Sequence, residues 1–291
     1  MAASDSHPRS NSLPSKPHPL ILQCNEHLSR LEASTATTSS SSSLSSSFGH
    51  KLSDLEDLHE TVEKLVQLSL TREVLVQESQ ENWVEKLLDG SLRLLDACTA
   101  AKDALLHTKE CAREVQSIMR RKRGGEMEVT VEVRKYLTSR KVVKKAISKA
   151  LENLKTSSNK CKLSPCHKAH PELVSLFKDV EIVTLQILES LLSFIIASTK
   201  SKLSNWSLVS KLMHNRKVSY TQEAEENEFA KVDSALQAFV FHTTGKSENT
   251  DHLQNQLENL ESVIQDFVER LETLFRRLIK TRVALLNILN H

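Results

Sequence analysis

Apolar residues recur three and four positions apart along most of this chain, with charged and polar residues filling the intervals. Leu52, Leu55, Leu58, Val62, Leu65 and Val66 form the first such row, which is the period of an amphipathic helix. A second row passes through Trp83, Leu87, Leu94, Cys98, Ala101, Leu105, Ala112, Val115 and Met119, and Gly124-Gly125 stops it. Gly90 lies inside that row and marks a kink or a break. A third helix, roughly Met127–Leu154, carries Val133, Tyr136, Val143, Ile147, Ala150 and Leu154 on one face. The polar stretch Lys155–His170 reads as a loop, closed by Pro171, a residue suited to a helix's first turn.

Val180–Ala197 is the most hydrophobic segment. Glu181, Gln186 and Glu189 interrupt it, whereas a bilayer span needs about 20 predominantly apolar residues. An unpaired Glu in lipid is expensive, so a buried central helix is expected instead. The stretch around Trp206 and Tyr220 shows no clear period, and another helix is expected over Glu223–Phe241, punctuated by Gly245.

The last row is the longest. Leu253, Leu257, Leu260, Ile264, Phe267, Leu271, Leu274, Leu278, Leu285 and Ile288 alternate four- and three-residue steps, and only Thr281 interrupts them. A helix over Asp251–Asn290 would be about 60 Å long. Two arrangements suit this seam: a coiled-coil strand, giving a homodimer through 253–288, or the long helix of an intramolecular bundle. Ile279, Val283, Leu286 and Leu289 widen the stripe near the end and favour burial on several sides within a bundle. Arg276, Arg277, Lys280 and Arg282 lie towards the end that complements cations.

The Pro and Gly content reinforces this reading. Six Pro and five Gly serve 291 residues, and no Pro falls between Leu20 and Ser164 or after Pro171. No hairpin dipeptide sits between alternating apolar runs. The expected fold is all-α, a long-helix bundle with a disordered Ser/Pro-rich N-terminal tail. Residues 1–48 form the tail and a Ser-rich linker, with a short apolar helix compatible with 20–31, and residues 49–291 form the bundle.

Charge is nearly balanced overall, 39 basic against 37 acidic residues, but not locally. Between Arg113 and Lys162 stand 15 Lys or Arg and five Glu, a balance of +10. Arg120, Arg121, Lys122 and Arg123 precede Gly124, and Arg134, Lys135, Lys141, Lys144, Lys145 and Lys149 decorate the polar side of the third helix. A basic amphipathic helix suits anionic lipid, a calcium-sensor groove, a nuclear import receptor or nucleic acid, and equally a solvated face that pairs with acidic helices. Nucleic acid is disfavoured, because no recognition module or aromatic series accompanies the charge.

Five cysteines at unpatterned spacings, with no apolar leader, favour a reducing compartment and free thiols. The expected location is cytoplasmic, at a membrane periphery or nuclear. Import into a plastid is disfavoured by the scarcity of Arg near the start. Cys161, Cys166, His167 and His170 are zinc-ligand types, but their spacing matches no common finger, so no metal or other cofactor is expected. No phosphate loop, nucleophile elbow or HExxH motif appears, and no catalytic residue is assigned.

"SLPSKPHP", "LLDGSLRLLDAC", "VRKYLTSRKVVKKAISK", "LESLLSFI" and the closing "FRRLIKTRVALLNILNH" stand in this order along the chain. Together they resemble the plant BYPASS-related family, long catalogued as a plant domain of unknown function. The resemblance implies an association with root and shoot development and carries no catalytic residues. The expected function is a non-enzymatic helical scaffold or adaptor in plant growth signalling. The alternatives are a membrane-peripheral protein that binds anionic lipid through the basic helix 120–149, and an enzyme of unrecognised type. Arg9, Ser12 and Pro14 fit the Arg-Ser-x-phosphoSer-x-Pro pattern bound by 14-3-3 proteins, in which phosphate on Ser12 supplies charge and strong acceptors for arginines.

Overall fold

The computed structural model describes residues 18–36, 44–121, 126–160, 171–197, 227–241 and 247–290. Among these residues the secondary structure is helical throughout: α1 (Pro19–Ala36), α2 (Leu44–Val66), α3 (Ser69–Gln77), α4 (Asn82–Arg120), α5 (Glu126–Lys160), α6 (Pro171–Ile196), α7 (Glu228–Phe241) and α8 (Ser247–Leu289). The all-α bundle read from the periodicities is the fold observed.

Helix α8 is the axis of the bundle. Its seam from Leu253 to Leu278, with Leu285 and Ile288 beyond, is buried, and the helix packs on α2 and α4 and also meets α3. Helix α5 folds back along α4, bringing Ser139 to Cys111 and Arg140 to Thr108. Helix α6 packs on α4, and the short α7 bridges α5 and α8. Burial of these Leu, Ile and Val side chains, each contributing about 1.5–3 kcal/mol when complete, is the main source of cohesion.

Four phenylalanines from four helices meet at one point in this aliphatic core. Phe194 of α6 lies 4.8 Å from Phe48 of α2, 5.7 Å from Phe229 of α7 and 6.2 Å from Phe267 of α8, centroid to centroid. The last two are edge-on, the orientation that ring quadrupoles favour.

The structure departs from the sequence expectations in four places. Residues 19–36 and 44–48, which composition sets apart from the bundle, are helical and belong to it. Cys24, Leu28 and Leu31 of α1 are buried in the common core, with α2 and α6 as neighbours. Ser45 donates to Glu228 at 2.8 Å, and Phe48 enters the aromatic cluster. Tertiary contacts override the weak propensity of the serines.

Gly90 does not break α4, which continues through it. A Cβ there would lie 2.6 Å from the Glu181 carboxyl carbon, so the glycine leaves room for a carboxylate of α6. That carboxylate forms an ion pair with Arg93, one turn on from Gly90. Glu181 thus enters the most hydrophobic helix already partnered. None of the helices among the described residues is long and apolar enough to cross a membrane.

At the end of α8 the widened stripe is not enclosed on several sides. Ile279 is 40% exposed and Val283 49%, while Leu285 and Ile288 are buried. Leu286 and Leu289 are half-buried, and Leu289 packs against the core, so the neighbours cover the seam fully and the added stripe in part. Thr281, the polar interruption, is buried in the seam. Finally, α5 extends through Lys160, beyond the expected end at Leu154.

Candidate functional site

Helix α5 presents two faces of opposite character. Inward go Val133, Tyr136, Val143 and Ile147, at the three-to-four spacing that locks the helix onto its neighbours. Outward go Arg134, Lys135, Lys141, Lys145 and Lys149, all exposed. Lys135 pairs with Glu132 one turn earlier at 3.0 Å, a hydrogen bond that raises the ammonium's pKa. Arg134, Lys141, Lys145 and Lys149 have no carboxylate partner among the described residues. Met127, Val131 and Val142 are 78%, 47% and 62% exposed, so apolar groups are interspersed with the cations.

The other expected basic residues have different fates. Arg120, at the end of α4, pairs with Glu258 of α8 at 3.0 Å, and Arg113 likewise meets Glu261. Cations of α4 thus engage acidic residues of α8, as a structural basic face would. Arg121 is exposed just past the end of α4. Lys144 turns from the row and reaches Asp233 of α7 at 2.8 Å. Lys122, Arg123, the tail residues Arg9, Ser12 and Pro14, and the quartet Cys161, Cys166, His167 and His170 lie outside the described residues.

Lys144 leads to a cluster that sequence reasoning passed over. Arg140 and Asp233, with side chains 3% and 7% exposed, form an ion pair with Nε–Oδ1 at 3.0 Å. The second guanidinium arm donates to Asp233 Oδ2 at 3.3 Å and to the carbonyl of Ile195 at 2.9 Å. Nη1 donates to Thr108 Oγ1 at 3.3 Å, and the Phe229 ring lies 5.4 Å from the guanidinium carbon. Tyr136 donates its hydroxyl to Asp233 Oδ1 at 3.3 Å, and burial pushes the phenol far above its ordinary pKa. One arginine thereby ties α5 to α4, α6 and α7.

The cap of α7 complements this tie. Asn227 accepts the Ala230 N–H through Oδ1 at 2.6 Å and donates Nδ2 to the Phe194 carbonyl at 2.7 Å. The cluster has the satisfied geometry of a buried structural network rather than the open position that chemistry on a substrate requires. A signal for it existed: Arg140 falls between Tyr136 and Val143 on the core-facing row, and Asp233 falls between Phe229 and Leu236. A charged residue at a seam position on each of two helices points to a buried pair.

Cys24, Cys98 and Cys111 are free thiols, and burial pushes Cys24 up to about 11 and Cys98 up to about 12. The buried thiols of Cys24 and Cys98 are inert rather than nucleophilic. Among the described residues no group of three His, Cys, Asp or Glu side chains could hold a metal ion.

A family model described as Protein BPS1 matches residues 51–288. No curated protein and no solved structure matches the chain.

Proposed function

The chain belongs to the Protein BPS1 family, a BYPASS-related plant family whose membership points to a role in plant development, and on that premise we propose that it is a non-enzymatic helical scaffold or adaptor in growth signalling. Its outer α5 face is the docking surface. The observation that carries this reading is the exposed row Arg134, Lys141, Lys145 and Lys149, without carboxylate partners among the described residues. On α4, by contrast, Arg113 and Arg120 are matched by acids of α8. An acidic surface on another macromolecule is the complement of such a row. The protein acts in the cytoplasm, at its membrane periphery or in the nucleus.

The test is an affinity purification from plant tissue with the intact protein and with Lys141, Lys145 and Lys149 changed to Glu. Lys144 is left alone, because it serves Asp233. Partners recovered with the parent and lost with the variant support the reading. Identical partner sets with the two proteins refute it.

A second reading rests on the exposed Met127, Val131 and Val142 beside the cations. Cations with interspersed apolar groups also suit an anionic membrane surface. Sedimentation with anionic vesicles that the same triple substitution abolishes supports a peripheral membrane protein. Independently of α5, phosphate on Ser12 recruits 14-3-3 through Arg9, Ser12 and Pro14. A peptide over residues 3–20 that binds 14-3-3 equally well with and without that phosphate overturns this part.

A further inference from the structure

A cleft of about 300 Å³ opens between α4 and α6, at the lower end of the volumes that hold small molecules. Its inner wall is aromatic, from the buried Trp83 and Phe177. Leu87 and Leu185 are half-buried along it and Ile182 is 41% exposed, so apolar surface faces water inside a concavity. The charges around it are unevenly matched. Arg93 and Glu181 neutralise each other in the wall, and Gly90 supplies the space for that pair. Lys86 and Lys178 also line the cleft, and neither has a carboxylate partner among the described residues. Glu189 lies eleven residues beyond Lys178 on α6, about 16 Å along the axis at the helical rise. Burial pushes its carboxyl above the usual carboxylate range. Along α6 the cleft therefore runs from a cation at Lys178, past Ile182 and Leu185, to an acid at Glu189.

We infer that this cleft binds a small amphipathic monocarboxylic acid, its carboxylate held by Lys86 and Lys178 and its aliphatic chain lying along Leu87, Ile182 and Leu185. The chemistry follows from the lining. Two unmatched ammonium groups favour an anion over a neutral molecule of the same shape. The apolar wall gains from being covered by methylenes. An acid at the far end disfavours a second carboxylate on the ligand, which selects monoacids over diacids. No α5 residue lines the cleft, so this site stands or falls separately from the docking role of α5.

The experiment uses the full chain with Trp206→Phe, which leaves Trp83 as the one tryptophan. Decanoate, decanol and decanedioate are titrated below their aggregation concentrations while Trp83 emission and calorimetric heat are followed. Saturable binding of decanoate at one site, at least tenfold tighter than decanol and decanedioate, is expected. K86Q/K178Q and K86E/K178E, with melting checked against the parent, should weaken decanoate at least tenfold and leave decanol unchanged. E189Q should narrow the gap between decanoate and decanedioate. Absence of saturation, equal affinity for decanoate and decanol, or decanoate binding indifferent to both lysine variants overturns the site.

Discussion

Arg140 and Asp233 meet 93 residues apart in sequence, guanidinium to carboxylate at 3.0 Å, at the junction where α5 receives α7. Neither side chain has more than a few per cent of its surface in water. The pair is therefore costly to break from one side. Arg140→Met leaves the Asp233 carboxylate buried with Lys144 and Tyr136 as its remaining partners, and a loss of about 3–5 kcal/mol is expected. Arg140→Met combined with Asp233→Leu should lose less than Arg140→Met alone, because no charge is stranded. Urea midpoints of the two single variants and the double variant measure this, and additive losses would contradict it.

His59 makes stability depend on pH. It is wholly buried on α2, and its Nε2–H donates to Thr184 Oγ1 at 2.9 Å, since the Thr184 hydroxyl donates to the Val180 carbonyl. Nδ1 finds no partner among the described residues. Burial first, and the nearby Arg277 second, lower its pKa from 6.5 to about 4. The unfolded chain thus takes the proton before the folded one does. Stability is whole above about 6.5, falls as pH drops from there towards 4, and levels off below. The full drop is about 3 kcal/mol at 1.36 kcal/mol per unit. His59→Gln should flatten this part of the profile in denaturant titrations between pH 4 and 7.

Gly90→Ala tests the α4–α6 contact through its dependence on Glu181. Alanine is the better helix former by about 1 kcal/mol, so an exposed glycine at mid-helix would be improved by it. Here the new methyl meets the far end of the Glu181 side chain, which can swing aside but gives up Arg93 in doing so. The lost ion pair, about 1 kcal/mol, offsets the gain in propensity. Gly90→Ala alone should leave the melting temperature near that of the parent, and in a Glu181→Ala background it should raise it. Equal stabilisation in both backgrounds would contradict the contact.

At the end of α8 the periodic seam and the added stripe separate experimentally. Leu285→Ala empties a buried position and is expected to cost about 2–5 kcal/mol. Val283→Ala, half in water, should stay within about 0.5 kcal/mol. Removing residues 281–291 deletes the buried Leu285 and Ile288 and also Arg282, which donates to the Leu88 carbonyl at 2.6 Å. A truncated chain that melts as cooperatively and as high as the parent would show that these turns do not hold the bundle together.

Periodicity found the long helices because helical burial repeats along the chain, and every seam residue from Leu253 to Leu278 is buried. What escaped it depends on which neighbour arrives. Ile279 and Leu289 both lie beside the seam, yet one is exposed and the other packs against the core. Composition separated α1 from the bundle, although Cys24, Leu28 and Leu31 already carried the four-and-three spacing of a packed face. The basic residues of α5 were visible as a row, but the role of Lys144 was not, because its partner lies on another helix. Arg140 and Asp233 interrupt two apolar rows, and a break in a pattern attracts less notice than the pattern.

The placement of α8 also bears on how the protein comes to be made. Helices α2 and α4 leave the ribosome long before α8, so the leucine rows that α8 covers stay open on that side during synthesis. At about 5–20 residues per second, the 126 residues between the end of α4 and the start of α8 take on the order of ten seconds to appear. During that interval the nascent chain exposes the surfaces on which chaperones act and aggregates grow. A premature stop before α8 would therefore yield a chain without the cover for its longest apolar faces, destined for degradation.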